Sequence, residues 1–135
     1  MILDATGGWA AGASDVLKAG AMPKDRPIEV QFHAPAGHEK YRNKRAEMWF
    51  MMAEWVKSGG WLPKLPEMVG ELTTPTYTFV GVKFLLEPKD QLKTRLGRSP
   101  DLADALALTF AVPEGARPVQ TVKKPTPIKR PSWLV

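Results

Sequence analysis

The pattern of apolar and polar residues in the first part of the chain predicts a strand, a helix and a second strand. A short apolar run ends at Asp4, and the glycine-rich stretch GGWAAG follows it as a turn. Ser14 is a suitable N-cap for a helix that ends at Gly20. The second strand is indicated in RPIEVQF by apolar residues at alternate positions, Ile28, Val30 and Phe32. If the strands are parallel, the helix between them is a right-handed crossover.

The segment NKRAEMWFMMAEWVKSGG predicts a long helix that is apolar on two adjacent faces. Asn43 can cap its start and Gly59 can end it. The two apolar stripes contain Ala46, Trp49, Ala53 and Val56, and Met48, Met52 and Trp55. Because one thin sheet covers only part of such a helix, we expect a larger working domain or a partner on this face.

The remaining foldable segments predict two short strands and three short helices. Pro66 begins the first helix, and TYTFVGVKFLL contains the strands, residues 77–80 and 83–86, around Gly81. PKDQLKTRLG is a basic helix that ends at Gly97. The last helix has Ser99 as its N-cap and Pro100 at its first position, and extends to about residue 112. The order of elements predicts an α/β fold with a short mixed sheet and flanking helices.

The net charge of +5 is concentrated at the C-terminus. Five Lys and Arg residues follow Pro113 against Glu114 alone, which leaves fourteen basic and thirteen acidic residues in 1–112. The segment 113–135 contains five prolines and no helical or strand period, so we expect a disordered or extended tail. It could hold phosphates or a partner loosely, or simply be solvated. The predicted domain is therefore 1–112.

The composition narrows the classes of site that the chain can contain. It has no cysteine, which excludes disulfides and thiolate metal sites, and only two histidines, His33 and His38. A metal ion would have to be held by carboxylates. Neither a membrane span nor a signal peptide is predicted, and we expect a cytoplasmic protein without a membrane partner.

Two aspartates, Asp101 and Asp104, stand one turn apart at the start of the apolar last helix. They could simply stabilise the positive end of the helix dipole, by roughly 0.3–1 kcal/mol each. Alternatively they could join Asp4, an acid at the end of the first strand, where α/β sheets tend to face their ligand. Three such carboxylates suit Mg²⁺, and a pair of ions could activate water against a phosphodiester.

Three stretches in order, ILDATGGWAAGASDVLKAG, YRNKRAEMWFMMAEWVKSGGWLPKLPEMVGEL and EPKDQLKTRLGRSPDLADALALTF, resemble the C-terminal nuclease domain of the large terminase subunit of tailed bacteriophages. The resemblance covers residues 2 to about 112. It implies an RNase H-like fold (the ribonuclease H-like superfamily) and an endonuclease that uses two Mg²⁺ or Mn²⁺ ions. Such enzymes cut concatemeric viral double-stranded DNA during genome packaging.

The resemblance also assigns site residues. Asp4 corresponds to the acid of the second catalytic strand, and Asp101, with Asp104 close behind, is the candidate for the acid of the last helix. These three are the predicted catalytic and metal-binding residues. The predicted contacts to DNA phosphates are Lys89, Lys93, Arg95 and Arg98.

The chain departs from the family pattern at its start. The first catalytic strand with its aspartate and the upstream ATPase motor have no counterpart, and the resemblance therefore implies a partial, N-terminally truncated fold that is incomplete and inactive alone. Its implied partners are DNA, the upstream ATPase and nuclease segment, the terminase small subunit and the portal, and self-association is another way to cover its exposed faces. We also expect marginal stability. The alternatives are a non-catalytic module that binds DNA or a packaging protein, and an inactive prophage remnant.

Overall fold

A computed structural model describes residues 1–8, 10–20 and 26–112 of the chain. The predicted tail, 113–135, lies outside the described residues. The elements, in chain order, are β1 (Ile2–Asp4), a 3-10 turn (Thr6–Gly8), α1 (Ala11–Gly20), β2 (Ile28–Val30), α2 (Lys44–Lys57), α3 (Pro66–Thr73), β3 (Tyr77–Val80), β4 (Lys83–Leu86), α4 (Lys89–Leu96) and α5 (Asp101–Leu108).

The strand, helix and strand predicted at the start of the chain are present. β1 pairs with β2 in parallel, with Asp4 opposite Val30, and α1 connects them. The prediction that Ser14 caps α1 is wrong, because the helix begins at Ala11. Ser14 is buried inside it and its hydroxyl donates to the carboxylate of Glu29 on β2. Ser14 therefore joins α1 to β2 instead of capping the helix.

The second pair of strands forms a hairpin. β3 and β4 are antiparallel around Gly81, whose φ of 62° lies in the left-handed region that glycine tolerates. The parallel and antiparallel pairings predicted for one mixed sheet are thus divided between two two-stranded sheets in the described part of the chain. An isolated bridge between Tyr41 and Phe84 ties the loop before α2 to the hairpin.

The core lies where α2 packs against α5, β4 and the end of β2. Asn43 caps α2 as predicted, because its side-chain oxygen accepts the Ala46 N–H at 2.9 Å. Of the two predicted stripes, Ala46 and the three large side chains of Met48, Trp49 and Met52 are buried. Burying a side chain of this size contributes roughly 1.5–3 kcal/mol, so α5 supplies much of the cover that the pattern of α2 demands.

The start of α5 differs from its prediction. Pro100, not Ser99, is the N-cap residue, and it provides no side-chain cap. The N–H of Ala103 instead donates to a carboxylate oxygen of Glu71 on α3, at 2.8 Å. The helix ends at Leu108, short of the predicted residue 112. No helix in the described segments is long and apolar enough to cross a membrane.

Candidate active site

A cavity of about 190 Å³ lies where β1 meets the start of α5. We call it the acid cavity, because its lining includes Asp4, Asp101 and Asp104, beside Phe32 and Lys89. The structure therefore brings together all three predicted metal-binding residues, which come from the two ends of the described chain. Their roles as metal ligands stay a prediction.

Asp4 and Asp101 keep carboxylate oxygens available at this cavity. Asp4 is the last residue of β1 and half-buried, and its Oδ1 accepts the backbone N–H of Thr6 at 2.9 Å. This bond fixes the carboxylate at the carboxyl end of the strand. Asp101 is exposed at the first position of α5 and makes no ion pair or side-chain hydrogen bond with the described residues.

Asp104 is buried, with only 6% of its surface exposed, and held from three sides. Its Oδ1 accepts the indole N–H of Trp49 at 3.0 Å, and its Oδ2 lies 2.7 Å from the Lys89 ammonium. The Nε of Arg45 is 3.9 Å from Oδ1. The Asp104 carboxylate is therefore surrounded by groups of α2 and α4.

The buried guanidinium of Arg45 is a feature that the sequence reasoning missed. Its Nη1 donates to the Glu87 carbonyl at 2.8 Å, whereas Nε and Nη2 have no hydrogen-bond partner. Burial lowers the pKa of Arg45, and the charges of Asp104 and Glu87 oppose that change. A basic residue at the polar start of an amphipathic helix gave no signal that it would turn inward.

The chemistry of the three carboxylates fits a metal site, but the distances between them in this structure do not. Carboxylate oxygens on a shared cavity wall suit a hard divalent cation. Within residues 1–8, 10–20 and 26–112, however, no three His, Cys, Asp or Glu side chains lie close enough to form a metal cluster. The Lys89 ammonium instead neutralises Asp104.

The four predicted phosphate contacts divide into two groups. Lys89 and Lys93 line a second cavity of about 610 Å³ that also contains Asp4 and Arg45, which we call the central cavity. Arg95 and Arg98 line neither this nor the acid cavity. Arg95 pairs with Glu87, and Arg98 pairs with the buried carboxylate of Glu71. The four DNA contacts remain predictions.

Comparison with known proteins identifies the fold. No model of a known protein family matches the chain, and no curated protein matches it. The solved nuclease domain of the large terminase subunit of bacteriophage Sf6 superimposes on the chain with a TM-score of 0.60. Two lysine-to-alanine mutants of that terminase superimpose with TM-scores of 0.62, for the structure with calcium, and 0.61, for the structure with manganese. The identities are 23%, 22% and 22%, and each match covers 83% of this chain.

This chain has the fold of those nuclease domains. The α/β class predicted from the sequence is thereby confirmed, and the RNase H-like assignment stays a prediction of the resemblance. The chain spans 64–65% of the length of the solved chains. In this fold the acid cavity lies at the carboxyl end of β1, where ligands of α/β sheets commonly bind.

Proposed function

We propose that this chain is part of a metal-dependent endonuclease of the phage terminase type, which cleaves double-stranded viral DNA during genome packaging. The observation that carries the proposal is the convergence of Asp4, Asp101 and Asp104 on one cavity, within a fold shared with a terminase nuclease domain. Two of the solved terminase structures, one with calcium and one with manganese, support the proposal of a divalent cation at this wall.

Asp4 and Asp104 are the proposed direct ligands, and Asp101 is a third ligand at the exposed rim. Mg²⁺ or Mn²⁺ bound there would supply Lewis acidity toward a phosphodiester and activation of water. Trp49 would keep the Asp104 carboxylate in one orientation through its indole N–H. Lys89 balances the charge of Asp104 and would turn toward a backbone phosphate when a cation takes its place.

The proposed activity needs more than this chain. A two-metal site generally uses several carboxylates, and we propose that another acid comes from an upstream segment of the nuclease. That segment, the terminase motor, the small subunit and the portal are proposed partners, with the reaction in the host cytoplasm. Self-association would be another way to cover exposed apolar surface such as that of Phe79 and Val82.

A second function has a specific observation in its favour. Because Lys89 and Arg45 already balance the charge of Asp104, the acid wall can be stable without any metal ion. The chain would then be a non-catalytic module that binds DNA through its cationic residues. DNA binding would survive the loss of Asp4 and Asp104 and would depend on salt.

Plasmid cleavage distinguishes the two functions. Supercoiled DNA is incubated with Mn²⁺ and the chain, alone and together with the upstream nuclease segment proposed above. We expect nicking in the reconstituted sample that falls at least about a hundredfold in Asp4→Asn, a loss typical of removing a key electrostatic group. Asp15→Asn, an exposed aspartate on α1, is the matched control and should leave the rate unchanged. No cleavage after reconstitution, or cleavage unaffected by Asp4→Asn, would overturn the proposal.

A further inference from the structure

A third cavity extends the site away from the acids. It has a volume of about 440 Å³ and shares His33, Asn43 and Leu85 with the central cavity. The central cavity in turn shares Asp4, Phe32 and Lys89 with the acid cavity. The three cavities are therefore neighbours with common walls, and we call them together the groove. We call the third one the distal cavity; its lining includes two further cations, Arg42 and Lys83.

Backbone pairing brings these two cations together from separate parts of the sequence. The N–H of Arg42 donates to the Phe84 carbonyl at 2.8 Å, and the N–H of Phe84 donates to the Lys40 carbonyl at 2.8 Å. Arg42 and Lys83 thus flank the bridge between Tyr41 and Phe84. The Tyr41 ring stacks on Phe50 of α2, with centroids 5.5 Å apart. The fold therefore fixes Arg42 and Lys83 on either side of this bridge.

The loop that forms the distal wall is fixed by a buried carboxylate. Glu47 accepts the backbone N–H of Gly37 at 3.1 Å and of His38 at 2.9 Å. A side chain at Gly37 would place its Cβ only 3.2 Å from the Glu47 carboxylate. The Asn43 cap holds the other end of the loop on α2. A preorganised wall loses little entropy when a ligand binds.

Three cations of this groove are free to meet a polyanion, whereas Arg45 and Lys89 are paired with Asp104. In the described part of the chain, Arg42, Lys83 and Lys93 form no ion pair with a carboxylate. The acids that line the central and distal cavities are Asp4, Glu39 and Glu87, and Glu87 is already paired with Arg95. Positive charge therefore prevails in the groove beyond Asp4.

We propose that this groove holds the sugar-phosphate backbone of duplex DNA as it leaves the acid cavity, with Lys93 contacting a phosphate in the central cavity and Arg42 and Lys83 contacting phosphates in the distal cavity. The proposal rests on the proposed function for the identity of the polyanion. Cations of this kind position DNA without reading its sequence, so the groove would set the path of the duplex and not the choice of cut site.

The test is the salt dependence of DNA binding by the full chain, measured with a fluorescent duplex in Ca²⁺. Arg42→Ala and Lys83→Ala should each weaken binding about threefold, and each should lower the slope of log K against log salt by about one. Lys64→Ala is the matched control, because Lys64 is an exposed lysine that lines none of the three cavities and forms no ion pair in the described residues. Lys64→Ala should change the affinity and the salt slope by no more than the loss of one remote charge does.

Thermal melts of each variant establish that it is folded. If Arg42→Ala and Lys83→Ala bind DNA with the affinity and salt slope of Lys64→Ala, the groove proposal is wrong, even where the chain cleaves DNA. If they weaken binding while reconstituted cleavage is absent, the groove stands and the nuclease proposal falls. Unchanged binding in the double variant Arg42→Ala/Lys83→Ala would overturn the groove proposal outright.

Discussion

Two buried carboxylates, Glu71 and Asp104, lie at helix α5 and have different roles. Glu71 reaches α5 from α3, whereas Asp104 belongs to α5. Glu71 is fully buried; one oxygen accepts the Ala103 N–H and the other pairs with Arg98. Asp104 is almost as buried, but one of its oxygens is balanced only by Lys89, whose side chain is 35% exposed and lines the acid cavity. Glu71 therefore satisfies a backbone group at the start of α5, whereas Asp104 is the residue whose charge we propose a cation takes over from Lys89.

The difference shows what burial of a carboxylate means in this fold. A carboxylate that accepts backbone N–H groups stabilises the chain, as Glu71 and Glu47 do. We propose that Asp104, which accepts no backbone N–H and lies beside a cavity, serves a ligand instead. The following substitutions test this division, from the largest expected effect on stability to the smallest.

Glu71→Ala should be the most destabilising change. It leaves the Ala103 N–H without its acceptor in a buried position and removes the partner of Arg98, and an unsatisfied buried donor costs about 1–3 kcal/mol. We expect the free energy of unfolding to fall by about 2–3 kcal/mol and Tm by about 10 °C. Because Arg98 is 42% exposed, Arg98→Ala should cost less in the same melts. Equal losses of stability in Glu71→Ala and Arg98→Ala would contradict the role assigned to Glu71 at the start of α5.

Asp104→Asn should affect stability less than Glu71→Ala. Asparagine keeps an acceptor for Trp49, and Lys89 can turn to solvent, so we expect a loss of about 1 kcal/mol in denaturant unfolding. Asp101→Asn, at an exposed position, should change stability by less than about 0.5 kcal/mol. A loss for Asp104→Asn as large as that for Glu71→Ala would mean that Asp104 is structural.

Glu47 predicts an acid-sensitive component of stability. Burial acts to raise the pKa of Glu47, but the hydrogen bond from Lys44 and the N–H groups of Gly37 and His38 outweigh it and lower the pKa below 4.5. A depressed pKa stabilises the fold above that value, and the contribution is lost as pH falls through the lowered pKa. Glu47→Gln should flatten the decline in stability below pH 4.5 by about 1 kcal/mol. An unchanged pH profile would exclude Glu47 as its source.

Trp49→Phe should have a modest effect on stability. A phenyl ring keeps an aromatic group in the core but fills less of it, and the indole N–H to Asp104, which contributes about 0.5–1.5 kcal/mol, is lost. Reconstituted cleavage should fall in this variant, because the Asp104 carboxylate is no longer oriented. A variant with full stability and full cleavage would show that this hydrogen bond does not position Asp104.

The sequence predicted the elements better than it predicted their junctions. The caps at Asn43 and Gly97 and the start at Pro66 are local signals, and each lies where it was expected. Ser14 and Ser99 carried equally good local signals, and both predictions fail: α1 begins at Ala11, upstream of Ser14, and the Ala103 N–H at the start of α5 is satisfied by Glu71 from another element. A cap that a distant residue supplies leaves no trace in the local pattern.

The residues of the acid cavity were likewise predicted only in part. The pattern and the resemblance selected Asp4, Asp101 and Asp104, which line one cavity. They did not indicate which aspartate of α5 is buried, since that depends on Trp49 and Lys89 arriving from α2 and α4. They also missed Arg45, because its inward position is set by packing against Trp49, with the guanidinium 5.8 Å from the ring centre.

The most direct test of the central claim uses the Trp49 indole N–H as a reporter of metal at Asp104. Substoichiometric Mn²⁺ is added to the ¹⁵N-labelled chain, and the indole signals are followed for paramagnetic broadening. We predict that the Trp49 signal broadens first, that the signal of exposed Trp61 persists, and that Asp104→Asn abolishes the difference while the control Asp15→Asn preserves it. Equal broadening of the two signals in the unmodified chain would contradict the claim that Asp104 forms a cation site.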